Sequence, residues 1–216
     1  MLVLLPAAVP AGASAAASVR LEHPCYQDNG TATKATFHAD GFTPGSVLPV
    51  TLDGQLIGKV TVGANGSVVN SFPVPAHTQP GAESTHELAL APDGTDPVRT
   101  TFRATSVMAD FSPAQGDPAT MKVRFTAAGM NLVAPKSTVY LHYVTPKGKE
   151  RKTVSLGRAT GACGNLRTSL RRLFPFRPTN GNWTLQLDTS RSYRRGTARA
   201  SYPWARIGVR VRAAAR

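Results

Sequence analysis

The feature that most restricts what this chain can become is alternation. Through most of its length apolar and polar residues trade places at every second position, the period that sends successive side chains to opposite faces of a strand. Ala35, Phe37 and Ala39 alternate with Thr36 and His38, and Leu48, Val50 and Leu52 alternate with Pro49 and Thr51. Val60 and Val62 lead into the stretch GANG, Gly63 to Gly66, and Val68, Phe72 and Val74 carry the return. An Asn-Gly pair between such runs predicts a hairpin, because both central residues of a type I′ turn need positive φ. With His86, Leu88 and Leu90, then Val98, Thr100 and Phe102, the first half holds about seven short strands, the spacing of an immunoglobulin-like sandwich. No stretch keeps a helical period for more than about two turns.

The second half repeats the plan. KATFHADGF, Lys34 to Phe42, aligns with KVRFTAAGM, Lys122 to Met130, 88 positions later, and VTVG at Val60 aligns with VSLG at Val154, 94 positions later. The drift places an insertion between the two blocks, in the loop NLVAPKS, and the shared order makes an internal duplication the better reading. Val139, Leu141 and Tyr143 alternate, as do Trp183, Leu185 and Leu187. In the closing RIGVRVR, Ile207, Val209 and Val211 are expected inward and Arg206, Arg210 and Arg212 outward. The expected fold is all-β: an N-terminal signal segment (1–17) and two tandem immunoglobulin-like β-sandwich domains (18–106 and 107–216).

The loop DGFTPGS, Asp40 to Ser46, has the glycines of a phosphate cradle but not its sequel. No helix-opening Lys and Ser/Thr follow in Walker spacing. Pro44 presets φ near −65° and Gly45 accepts positive φ, the demand of a type II turn. The run from Gly41 to Pro75, with the later PGAESTHELAL, resembles the Ig-like modules of secreted and surface proteins of high-GC Gram-positive bacteria. Those modules carry a GF-x-PG loop, a D-G hairpin, an N-G hairpin and a closing PG turn. The second half lacks the D-G hairpin and the PG loop. The resemblance implies an extracellular sandwich used for display, spacing or binding, and its motif residues are structural, so no functional site comes with it.

Export is also suggested by the start of the chain. An apolar run, Leu2 to Val9, precedes small residues that fit small-x-small cleavage at Ala13-Ser14-Ala15 or Ala15-Ala16-Ala17, although the usual basic n-region is missing. The run is too short for a permanent anchor, and no later segment is apolar enough to cross a membrane. Two cysteines, Cys25 and Cys163, suit one bridge in an oxidising compartment, the other reading being two separate half-buried thiols. The expected location is secreted or cell-surface.

Charge divides the halves. Residues 18–105 carry a net −3 and residues 106–216 a net +16, out of +13 overall. An asymmetry of this size places any polyanion partner on the second half. The candidate contacts are Lys147, Lys149, Arg151, Lys152, Arg171, Arg172, Arg194, Arg195, Arg206, Arg210 and Arg212, with Tyr193, Tyr202 and Trp204 interleaved for stacking. An anionic cell-wall polymer or acidic polysaccharide is the first partner class and nucleic acid the alternative.

Catalytic constellations are not evident: the sequence has no HExxH, no GxSxG and no Walker loop. Its five histidines show no metal-ligand spacing, and neither a cofactor nor a metal is expected. Cys163 in GACG, with His142 brought near it, would be the one thiol nucleophile to consider. The expectation is a non-catalytic exported protein whose basic second half contacts the envelope.

Overall fold

The computed structural model describes residues 16–28, 33–76, 79, 81–92, 94–197 and 201–212. The proposed signal segment falls almost wholly outside them. Every element among the described residues is a strand.

In the first half β1 (Ser18–Leu21), β3 (Lys34–Asp40) and β6 (Val68–Pro73) form one sheet in the order β1-β3-β6. The facing sheet runs β2 (Cys25–Gln27), β8 (Val98–Thr105), β7 (Glu83–Leu90), β4 (Val47–Leu52), β5 (Gln55–Thr61), with β2 parallel to β8. Between them lie Phe37, Leu48, Leu88, Leu90 and Phe102, all essentially without solvent contact. Each such side chain contributes about 1.5–3 kcal/mol of transfer free energy, and all five sit on the apolar phase of an alternating strand.

The second half repeats this pairing around a separate core. β10 (Lys122–Ala128) pairs with β9 (Met108–Ser112), β13 (Leu166–Arg167) and β14 (Arg171–Arg172), while β12 (Glu150–Arg158), β11 (Thr138–Val144), β15 (Gly181–Asp188) and β16 (Trp204–Val211) form the facing sheet in that order. Phe125, Leu141, Tyr143, Phe174, Trp183, Leu185 and Leu187 fill the space between. No residue is shared between the two cores.

The 88-residue correspondence has a geometric counterpart. β3 and β10 begin at Lys34 and Lys122, and both end at a glycine of positive φ, Gly41 at 80° and Gly129 at 75°. The next residue donates its N–H to a glycine carbonyl in each case, Phe42 to Gly66 at 3.1 Å and Met130 to Gly164 at 3.0 Å. VTVG and VSLG do lie on matching strands, but Val60 faces Leu48 and Val154 faces Leu141, one alternation farther along its partner. The turn joining β11 and β12 is longer, residues 145–149 against 53–54, and β11 and β12 carry two register shifts where β4 and β5 carry one. The partner of β10 is also broken. Where β6 runs unbroken along β3, β13 and β14 are separated by residues 168–170, of which Thr168 accepts from Phe125 N through its hydroxyl at 3.0 Å.

The loop at Asp40 to Ser46 is a turn, with Ser46 N donating to Thr43 O at 3.1 Å and Gly45 at φ 78°. The Asn65-Gly66 expectation needs correcting. β5 and β6 do not pair; they belong to different sheets, and of the two turn residues only Gly66 has positive φ. The pair makes a corner between sheets, with Asn65 Oδ1 accepting from Ser67 N at 3.1 Å. The type I′ geometry is found instead at Asp53 (φ 50°) and Gly54 (φ 79°), which join the paired strands β4 and β5.

A disulfide between Cys25 and Cys163, with Cα atoms 5.1 Å apart, ties the halves together. Beside it Asn165 Nδ2 donates to Glu83 Oε1 at 2.7 Å. The reading of Cys163 as a nucleophile is thereby overturned, because its sulfur is buried and consumed in the bridge.

Candidate functional site

β16 alternates as expected: Val209 and Val211 are buried and Arg210 and Arg212 exposed. The candidate cations nevertheless fall at four separate places. Lys147 and Lys149 sit on the β11–β12 turn, closed by Gly148 N donating to Thr145 O at 2.8 Å. Arg151 and Lys152 follow on β12, Arg151 lying 5.9 Å from the Phe176 ring centroid. Arg171 and Arg172 stand on β14 opposite Val123 and Lys122, with Arg171 Nη1 3.5 Å from Ser155 O. Arg206, Arg210 and Arg212 lie on or just past β16, at the opposite edge of the sheet from β12. Three strand spacings, roughly 14 Å, separate the two edges. Arg194 and Arg195 belong to the crossover that leaves β15 and returns as β16, of which residues 189–197 and 201–203 are described.

That crossover lies over the outer face of the sheet, where the alternation predicts solvent. Thr153, His142, Gln186 and Arg206 stand in register across β12, β11, β15 and β16. His142, Gln186 and Asp188 have no exposed surface. Their polar atoms are saturated. Gln186 Nε2 donates to Asp188 Oδ2 at 2.6 Å and to Arg194 O at 2.8 Å, and its Oε1 accepts from Gly196 N and Arg206 Nε, both at 3.1 Å. Asp188 Oδ1 also accepts from Ser190 N at 2.8 Å. Arg206 donates to Gly196 O at 2.6 Å and lies 4.7 Å from the Trp204 ring centroid. Of the predicted contacts, Arg206 is therefore held by the fold.

His142 is the centre of this cluster. Nε2 lies 3.1 Å from both Asp188 Oδ1 and Ser190 O, and since a carbonyl only accepts, Nε2 carries hydrogen. Nδ1 lies 2.6 Å from Thr153 Oγ1, whose own hydrogen goes to Glu150. Nδ1 is then placed to donate too, the hydrogen-bond pattern of a protonated ring. Burial opposes that charge, but Asp188, Glu150 and the Ser190 carbonyl outweigh it and raise the His142 pKa above its ordinary 6.5. Thr153, His142 and Asp188 have the outline of a nucleophile, a base and an orienting acid. With the Thr153 hydroxyl donating to Glu150 and both ring nitrogens donating, the imidazole has no lone pair to act as a base.

The aromatic residues expected to stack are committed as well. Tyr193 packs on His142 with ring centroids 5.5 Å apart, Tyr202 donates to Arg194 O at 2.9 Å, and Trp204 Nε1 donates to Thr197 O at 3.0 Å. Sequence reasoning missed Gln186 and Asp188, and placed His142 among ordinary histidines. Their signal was indirect: the long β15–β16 connection, rich in Arg and Ser.

Two clefts flank the crossover. One, of about 410 Å³, is lined by Tyr140, Thr153, Ser155 and Arg191. The other, of about 240 Å³, includes Asn182, Thr184, Tyr193, Arg195 and Arg206, with Thr145 and Gly148 of the lysine-bearing turn. Among the described residues, no lysine or arginine of the second half sits in an ion pair, whereas Arg99 and Arg103 of the first half are matched by Glu87 and Glu83. The described residues contain no cluster of His, Cys, Asp and Glu suited to a metal and no helix able to cross a membrane.

The chain matches no family model and no curated protein. Among solved structures it is similar to a tetra-tandem repeat in the extending region of a large adhesion protein (16% identity, 92% of this chain and 49% of that one, TM-score 0.30). It is also similar to β-glucuronidase of Parabacteroides merdae (10% identity, 91% of this chain and 24% of that one, TM-score 0.31). The chain spans half or less of the length of each. Likenesses this distant carry no argument about function.

Proposed function

We propose that this is a non-catalytic exported protein of two tandem immunoglobulin-like sandwiches, associated with the cell envelope, whose basic second half contacts anionic polymers. One observation carries the reading: the cations of the second half have no acidic partners among the described residues, and several of them border polar clefts. A charge of this kind that is not neutralised within the fold attracts a polyanion from outside. The bridge between Cys25 and Cys163 fits an oxidising compartment, and strands paired in the order seen here fit the immunoglobulin-like assignment.

Non-catalytic action is supported by the Cys163 sulfur being bridged to Cys25 and, separately, by the His142 nitrogens being engaged with Thr153, Asp188 and Ser190. Envelope polymer is favoured over single-stranded nucleic acid because Tyr193, Tyr202 and Trp204, the aromatics interleaved with these cations, are engaged within the fold.

The deciding experiment is co-sedimentation of the full chain with purified cell walls across a salt series, with duplex DNA titrated in parallel. The expected result is wall binding at low salt that is lost as salt rises. No sedimentation with walls, together with a steep log–log salt slope on DNA, would replace this reading with nucleic-acid binding.

A further inference from the structure

The two clefts share a composition that a uniformly basic surface does not explain. Each contains an arginine from the crossover, Arg191 in one and Arg195 in the other, with a tyrosine and small hydroxyl or amide side chains. Arg191 and Arg195 are both exposed. Tyr140 and Val144, which mark the two clefts on β11, are four residues apart, or roughly 13 Å along a strand. Between them the crossover is fastened down by His142, Gln186 and Asp188. The spacing is therefore set by a rigid sheet and a pinned segment rather than by a free loop.

Resting on the envelope reading above, we infer that the two clefts are paired subsites for one extended, hydroxyl-rich polyanion, which crosses the crossover ridge and places an anionic group in each. A guanidinium binds a phosphate or carboxylate oxygen pair through parallel N–H donors. Thr153 and Ser155 on one side, and Asn182 and Thr184 on the other, supply the short donors and acceptors that polyol hydroxyls need. The Tyr193 ring already lies on His142, so its edge and hydroxyl are what remain for a ligand. A single anion fills one subsite; a chain long enough to span both gains the effective concentration of a tethered second contact.

Calorimetry on the full chain tests this, with glycerol phosphate, poly(glycerol phosphate) of increasing length and polygalacturonate as probes. Affinity is expected to rise at least about a hundredfold, on a per-chain basis, between the monomer and a chain that spans the clefts. Arg191→Ala and Arg195→Ala should each weaken polymer binding about tenfold or more, with the thermal midpoint unchanged. Arg167→Ala, which removes the same charge from the opposite sheet, should cost less than threefold, about 0.65 kcal/mol. Cleft-dependent binding of poly(glycerol phosphate) or polygalacturonate supports the inference and identifies the anionic group. If all three variants weaken binding equally, the paired subsites are wrong while the envelope reading stands. If duplex DNA of matched charge competes better than either polymer, the inference fails; if neither polymer nor walls bind, the envelope reading fails with it.

Discussion

The two halves share a strand order and differ in what they lay over it. Across the larger sheet of the first half, one row on the outer face reads Leu56, Thr51, Ala89, Arg99. The corresponding row of the second half reads Thr153, His142, Gln186, Arg206. Both end in arginine. In the first half that arginine is matched by Glu87 on the neighbouring strand, and the connection from β7 to β8 is short, residues 91–97. In the second half the connection is roughly twice as long and folds back over the row, converting a solvated face into a buried polar one. The scaffold is common to both; the chemistry comes from one lengthened connection.

The largest test of that contrast is His142→Ala. It leaves Asp188 buried without its cationic partner and should cost about 3–5 kcal/mol in denaturant unfolding. Thr51→Ala, the matching change in the first half, should cost under about 1 kcal/mol. Equal losses would mean that the outer faces do not differ as described.

Next comes the bridge that joins the two halves. Cys25→Ser with Cys163→Ser should remove roughly 2–5 kcal/mol and let the halves melt as two transitions in calorimetry, where the bridged chain gives one. A smaller loss follows from Gly196→Ala. A Cβ at this position would stand 2.2 Å from Cδ2 of Trp204, and Gly196 binds Gln186 and Arg206 through its backbone. The crossover must lift to make room, at about 1–3 kcal/mol, and the His142 environment should change in NMR.

The smallest effect is on pH dependence. Because the folded pKa of His142 lies above 6.5, its contribution is complete below that value and declines as pH rises through the folded pKa. The slope cannot exceed about 1.4 kcal/mol per pH unit. His142→Gln should flatten it, and a slope of opposite sign would contradict the imidazolium assignment.

Much of the scaffold was legible in the sequence because alternation is a local property. Phe37, Leu141 and Val209 each announce their burial through their neighbours at every second position. The Pro44-Gly45 turn was legible because two residues fix its dihedrals. Asn65-Gly66 misled because an Asn-Gly pair serves a sheet-to-sheet corner as well as a hairpin, and only the pairing of flanking strands tells them apart. Thr168 breaks the partner of β10 through its hydroxyl, which no periodicity records. The candidate site was the least legible part. Gln186 and Asp188 alternate with Leu185 and Leu187, so by period alone they face water. What covers them is a segment that follows them in the chain, held by backbone carbonyls whose sequence signal is nearly nil. Listing cations one by one likewise could not show that Arg206 is tied to Gln186 and the Gly196 carbonyl, or that Arg191 and Arg195 border clefts.

The bridge between Cys25 and Cys163 also fixes how the molecule bears tension. The two cysteines are 138 residues apart in sequence, yet their Cα atoms are 5.1 Å apart. A pull applied outside that interval passes through a single covalent link, and the strands from β3 to β12 are short-circuited. Under stretching, β1 and β13 to β16 would bear the load while the strands between the cysteines stayed slack, so the half that carries the polar cluster takes most of the force.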